Sequence, residues 1–264
     1  QMMFFLLNFL QLRFASSLYA IQMTLERRLR RVEKTLLVGA VNFETQEELD
    51  EALDELRDSD DDYAEDDLDD ITLDALLKDR SQGDLEWEKE RLTQMLIQLR
   101  GMHETPSKIQ ALLEELDRRI EPNGRLRQTV LFTRFYDTLK SIREYLYIRN
   151  AAMRIGIYAG GKAVFYDPVA QKDISVTHEE IKRLFLKGEI DLLLCTDAAA
   201  EGLNLQTADL LINFDLGWNP MKVEQRIGRI DRIGQKYSDI YVLNMCYLGS
   251  TEETVYGRLM ERLQ

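Results

Sequence analysis

Residues 225–235 read Gln-Arg-Ile-Gly-Arg-Ile-Asp-Arg-Ile-Gly-Gln, and three of them, Gln225, Arg229 and Arg232, stand at i, i+4 and i+7. On a helix those positions share a face. A guanidinium presented from such a face to a nucleotide γ-phosphate neutralises charge that develops during phosphoryl transfer, a contribution of roughly 10³ to 10⁵ in rate. The spacing therefore predicts a helix offering Arg229 and Arg232 as arginine fingers, with Gln225 beside them. The competing reading is a solvated helix whose arginines pair with neighbouring carboxylates.

Fingers need a scaffold, and the flanking sequence supplies strands. Leu192–Thr196 is a short apolar run that reads as a buried parallel strand, followed by Asp197-Ala-Ala-Ala-Glu201-Gly202-Leu203-Asn204-Leu205-Gln206. Ligands of open α/β sheets collect beyond the carboxyl ends of strands, where a glycine such as Gly202 lets backbone approach closely. Asp209–Asp215 reads as another strand; Asn219 can then cap the arginine helix and Pro220 suits its first turn. Upstream, Gln128–Leu139 gives a strand, a polar turn and an amphipathic helix, with Thr133 and Arg134 ending on the same sheet edge as Thr196. Hydroxyls and guanidinium groups there could hold phosphates, which positions a protein on a duplex without reading its sequence. Strands at 129–133, 154–158, 191–196, 209–214 and 239–246, alternating with helices, predict a parallel, doubly wound α/β sheet across about 120–264.

These motifs together resemble a known family. Gln225–Arg232 resembles the sixth motif of superfamily-two helicases, Gln-x-x-Gly-Arg-x-x-Arg, and the trailing Ile233-Gly234-Gln235 is similar to the Swi/Snf-type DNA translocases. The segment from Thr196 to Gln206 resembles the fifth motif, Phe132-Thr133-Arg134-Phe135 the fourth, and Trp218-Asn219-Pro220 a stretch bordering the DNA channel. The resemblance implies a second, C-terminal RecA-like lobe of bacterial or archaeal type. By the same resemblance, Arg229 and Arg232 reach the γ-phosphate, while Gln225, Gly202 and Asn204 set nucleotide geometry. Thr133, Arg134, Thr196 and Trp218 grip double-stranded DNA. ATP and Mg²⁺ would be bound mainly by the N-terminal RecA-like lobe of the same protein, a cytoplasmic, nucleoid-associated enzyme.

One phosphate-binding signal fails. Gly156–Ala163 nearly satisfies G-x-x-x-x-G-K-[ST], but Ala163 has no hydroxyl for Mg²⁺, and Val164–Pro168 reads as a strand or turn rather than a helix start. With no Walker loop and no Asp-Glu metal box in the sequence, the isolated chain is expected to be inactive, and its first residue, Gln1, fits an excised piece. Two readings remain beside the motor: a non-catalytic partner-binding module derived from a motor lobe, and a strand-separating helicase.

Composition shifts abruptly before the core. Residues 44–74 hold seventeen acids against one base, Arg57, so this stretch at −16 exceeds the chain's whole charge of −13 and leaves +3 elsewhere. Such a block favours a mobile or partly helical insertion with a protein partner or the neighbouring basic helix as its target. That helix, Leu12–Leu37, places Arg27, Arg30, Arg31 and Lys34 at i, i+3, i+4 and i+7, either a solvated face or a DNA contact. The expected organisation is a helical protrusion-like segment over 1–43, the acidic insertion over 44–84 and the lobe with its leading helices over 85–264. Residues 2–10 are apolar apart from Asn8 but too few to span a bilayer. Cys195 and Cys246 fit buried thiols without a metal pattern, and His103 and His178 are isolated.

Overall fold

The computed structural model describes residues 10–40, 80–167, 170, 172–197, 205–216, 220–250, 252–254 and 256–257. The acidic stretch and three expected site residues, Gly202, Asn204 and Trp218, lie outside them. The chain divides into two compact units, one holding residues 21–104 and the other residues 10–20 with those from 105 onward.

The first unit contains most of α1 (Leu18–Ala40) and α2 (Gln82–Arg100). A capping box starts α2: Ser81 Oγ accepts from Asp84 N, and the Asp84 carboxylate accepts from Ser81 N. The basic face of α1 is not a uniform solvated stripe. Arg27 is buried and Arg30 exposed. Other charges meet acids at close range, Arg28 with Glu88 at 2.7 Å, Arg100 with Glu26 at 2.9 Å and Lys89 with Glu33 at 3.0 Å.

The second unit is a seven-stranded sheet. In chain order it contains α3 (Ser107–Arg118), β1 (Thr129–Thr133), α4 (Tyr136–Arg149), β2 (Ile155–Ala159), β3 (Lys162–Asp167), β4 (Lys172–Ser175), α5 (His178–Leu186), β5 (Leu192–Thr196), β6 (Leu210–Asn213), α6 (Pro220–Ile227) and β7 (Tyr241–Asn244). The strand order is β4-β3-β2-β5-β1-β6-β7. The five expected strands form its parallel part, each within a few residues of its expected bounds. The sheet is nevertheless mixed, because β3 and β4 run antiparallel at one side. Only Gly160 and Gly161 separate the paired ends Ala159 and Lys162, and a parallel return would need a crossover of a dozen or more residues. The look-alike phosphate loop is this hairpin. Gly156 lies inside β2, where an added Cβ would stand 2.8 Å from Ile190 Cδ1 and 3.1 Å from Leu193 Cδ1.

Alternation along the strands splits the core into two layers. Leu131, Ile157, Leu194 and Ile212 face Leu112, Leu116, Leu139 and Ile142 of α3 and α4. Val130, Phe132, Leu193 and Leu211 face Ile181 and Phe185 of α5, together with Ile230. Period-2 patterning on both faces is what a sheet covered on both sides requires. Each such buried side chain contributes about 1.5–3 kcal/mol. This is the doubly wound α/β arrangement. At its amino edge, burial raises the pKa of Asp191, while Arg154 opposes that shift with a contact of 2.8 Å.

Candidate nucleotide and nucleic-acid edge

Because β1, β2, β5 and β6 are parallel, their carboxyl ends lie along one edge. Thr133 and Thr196 are register partners there, both buried. The structure thus brings Thr133, Arg134 and Thr196 together. Arg134 is exposed, with its guanidinium 5.4 Å from the Phe135 ring centroid. The Thr133 hydroxyl is turned inward and donates to Asp215 Oδ2 at 2.5 Å, while Arg134 N donates to Asp215 Oδ1 at 2.8 Å.

The arginine segment departs from the predicted single helical face. Gln225 lies on α6, which ends at Ile227, and Arg229 and Arg232 follow on turns. Amide bonds to the third residue back, Arg229 N to Arg226 O and Ile230 N to Ile227 O, both 3.0 Å, tighten the helix end. Gly234 at φ 95° then turns the chain against the Gln206 side chain. Leu205 N donates to Arg229 O at 3.0 Å and Lys236 N to Gln206 O at 3.1 Å, which pins this arginine loop, hereafter the finger loop after its expected role, to residues 205–206. Gln225 and Arg232 are exposed and Arg229 is half-buried. Arg229 Nε finds no hydrogen-bond partner among the described residues. That Nε is itself shielded from solvent, an orphaned buried donor, and the exposed Arg232 and Gln225 beside it are the groups that an incoming phosphate oxygen would meet.

Sequence spacing missed Arg226. Val223, Arg226, Ile227 and Ile230 stand at i, i+3, i+4 and i+7, the inward stripe of the segment, and Arg226 is 2 % exposed. Its Nε and Nη2 donate to the two carboxylate oxygens of Asp197 at 2.6 and 2.9 Å, and Nη1 donates to Asn213 Oδ1 and Asp215 O, both at 3.0 Å. Burial opposes its charge, but Asp197 and then Asp215 more than restore it, and its pKa is raised. The available signal was polar residues, Asp197, Asn213 and Asp215, ending apolar strands; groups so placed need a buried cation or donors.

Residues 10–20 dock on the same edge. Ser16 Oγ donates to Asp215 Oδ2 at 2.6 Å and lies 2.7 Å from Thr138 Oγ1, with Ser17 Oγ at 2.9 Å from the same atom. Arg13, fully buried, pairs with Asp137 at 3.3 Å. Lys108 Nζ donates to Ala15 O at 2.9 Å and meets Glu252 at 2.8 Å. Burial pushes the Glu252 carboxyl up to about 7 against the pull of Lys108.

The family profile described as "Helicase conserved C-terminal domain" matches residues 107–234, from the start of α3 through the finger loop. Residues 107–234 thus match the conserved C-terminal domain of helicases. Among its relatives, the "Uncharacterized ATP-dependent helicase YqhH" of Bacillus subtilis (strain 168) is 46% identical over 83 residues, 31% of this chain and 14% of that protein. The "RNA polymerase-associated protein RapA" of Serratia proteamaculans (strain 568) is 40% identical over 93 residues, 34% of this chain and 9% of that protein. The chain matches only a small part of these relatives, 14% and 9% of their lengths. Among solved structures, the C-terminal part of the Fun30 ATPase domain aligns with TM-score 0.47 at 20% identity, covering 70% of this chain and 62% of that one. The Pyrococcus furiosus Hef helicase domain aligns with TM-score 0.44 at 19% identity, covering 65% and 32%.

Proposed function

We propose that this helicase lobe is the second half of an ATP-dependent translocase of the Swi/Snf type acting on double-stranded DNA. The observation that carries the reading is the finger loop: exposed Gln225 and Arg232 flank a half-buried Arg229 whose Nε is unpartnered among the described residues. Arg229 and Arg232 reach the γ-phosphate of ATP held mainly by the N-terminal RecA-like lobe, with Gln225, Gly202 and Asn204 completing the nucleotide side. Bound ATP with Mg²⁺ supplies the phosphoryl group whose transfer is accelerated. The lobe's own part is to deliver positive charge from pre-set donors, which is where most of the catalytic effect in phosphoryl transfer lies.

On the other side, Arg134 offers an exposed guanidinium to the DNA backbone. Thr133 and Thr196, buried beneath it, and Trp218 complete the duplex-facing edge. A guanidinium contact of this kind holds a duplex without reading its sequence, while Thr133, its hydroxyl donated to Asp215, supports the edge from beneath. Opening and closing of the cleft between lobes then converts hydrolysis into steps. The names of the relatives, an ATP-dependent helicase and an RNA polymerase-associated protein, support this class of activity.

The test is ATP turnover by the full-length protein with and without duplex DNA, beside Arg229→Ala, Arg232→Ala and the isolated chain. The reading expects stimulation by duplex, loss of turnover in either variant with nucleotide binding retained, and an inactive isolated chain. Turnover indifferent to both arginines would contradict it and favour a partner-binding module.

A further inference from the structure

Arg226 occupies a position on the inward stripe of α6 where leucine would pack without desolvating a charge, yet it spends four hydrogen bonds on three strand-end residues. Those residues do not belong to the finger loop. Asp197 directly follows Thr196 at the end of β5, and Asn213 and Asp215 stand at the end of β6. Asp215 in turn receives the Thr133 hydroxyl, the Arg134 amide and the Ser16 hydroxyl. Through Ser16 the chain of bonds continues to Thr138 and Ser17, at the turn that opens α1. One buried network therefore joins the arginine helix, three residues before Arg229, to Thr133 and Arg134 of the duplex-facing edge, and it holds Asp197, the chain neighbour of Thr196.

Buried ion pairs seldom stabilise a protein relative to apolar packing, and their best-attested use is to specify one geometry. A bidentate guanidinium–carboxylate pair is the most directional form of such a contact. We propose that Arg226 is a positioning residue that couples duplex binding at the strand ends to the placement of Arg229 and Arg232, so that the fingers are aligned when DNA is held. The proposal rests on the translocase reading above. A shift of Asp197 or Asp215 by a bound backbone phosphate is transmitted to α6 through Arg226, whose Nε, Nη1 and Nη2 are all engaged by these strand-end acceptors. Lysine keeps the charge but cannot span both oxygens of Asp197 and two further acceptors at once.

Arg226→Lys and Asp197→Asn in the full-length protein test this, read as the ratio of ATP turnover at saturating duplex to turnover without DNA, with thermal unfolding in parallel. The expected result is a fall in that ratio of roughly 5- to 150-fold, the usual span of coupling between sites. KM for ATP should move less than kcat, in folded variants. A ratio held within about twofold in both folded variants, or a loss that follows the unfolded fraction in both, overturns the role of Arg226. A wild-type protein indifferent to duplex DNA overturns the translocase reading itself, and the coupling with it. Stimulation in the wild type with unchanged ratios in the variants overturns the coupling alone.

Discussion

Arg226, Arg229 and Arg232 stand within seven residues and differ in burial, and their truncations should differ accordingly. Arg232 is exposed on a turn, so Arg232→Ala should change the unfolding free energy by no more than about 0.5 kcal/mol while turnover falls by roughly 10³ or more. A denaturation curve beside a turnover assay separates the two effects. Glu252 gives a pH-dependent case. Its folded pKa, raised to about 7 by burial against the opposing pull of Lys108, lies above the ordinary carboxylate value, so the folded state holds the extra proton more tightly. Its contribution is therefore fully present below about pH 4.5, declines as pH rises and is gone above about 7. Unfolding of the lobe followed from pH 4 to 8 should show this slope, and Glu252→Gln should remove it. An identical slope in both proteins would place the titration elsewhere. The arginine spacing was legible because a motif survives as letters; the inward role of Arg226 was not, because its partners are 11 to 29 residues away in sequence.

At the scale of elements, the parallel strands were readable since each is a run of apolar residues long enough to cross a two-sided core. The β3–β4 hairpin was harder, as Lys162–Asp167 and Lys172–Ser175 are partly exposed and lack that apolar run. Gly156 shows why the phosphate-loop pattern misleads: the residue is glycine because β2 passes under Ile190, Leu193 and Ile181, not because a phosphate approaches. Gly156→Val should accordingly destabilise the lobe by about 1–3 kcal/mol through overpacking, measurable as a lower urea midpoint. The predicted helical face of Gln225, Arg229 and Arg232 ended early for a local reason. Gly228 and Gly234 bracket a loop pinned to residues 205–206, and tertiary contacts prevail over helical periodicity there. Gly234→Ala forces a side chain into the left-handed region, at about 1–2 kcal/mol, and presses on Gln206. Its expected signature is faster amide exchange confined to residues 228–236 with the sheet unaffected.

At the scale of the molecule, the lobe is completed from outside the matched domain. Residues 107–234 carry the family signature, yet Ser16 and Ser17 from the far end of the sequence join the strand-end network, Arg13 pairs with Asp137, and Glu252 from the other side of the matched region meets Lys108 and the Leu216 amide. No local pattern announces such contacts, since a buried arginine and two serines on a helix read as surface. Among the described residues no helix is long and apolar enough to cross a membrane. Movement along duplex DNA driven by ATP can be followed by third-strand displacement. A labelled oligonucleotide is bound as a triplex on a blunt duplex and its release by the full-length protein is followed with ATP. The expected result is ATP-dependent release with the underlying duplex intact, abolished by Arg232→Ala. Separation of the duplex strands, or no release under conditions where ATP is hydrolysed, would contradict it.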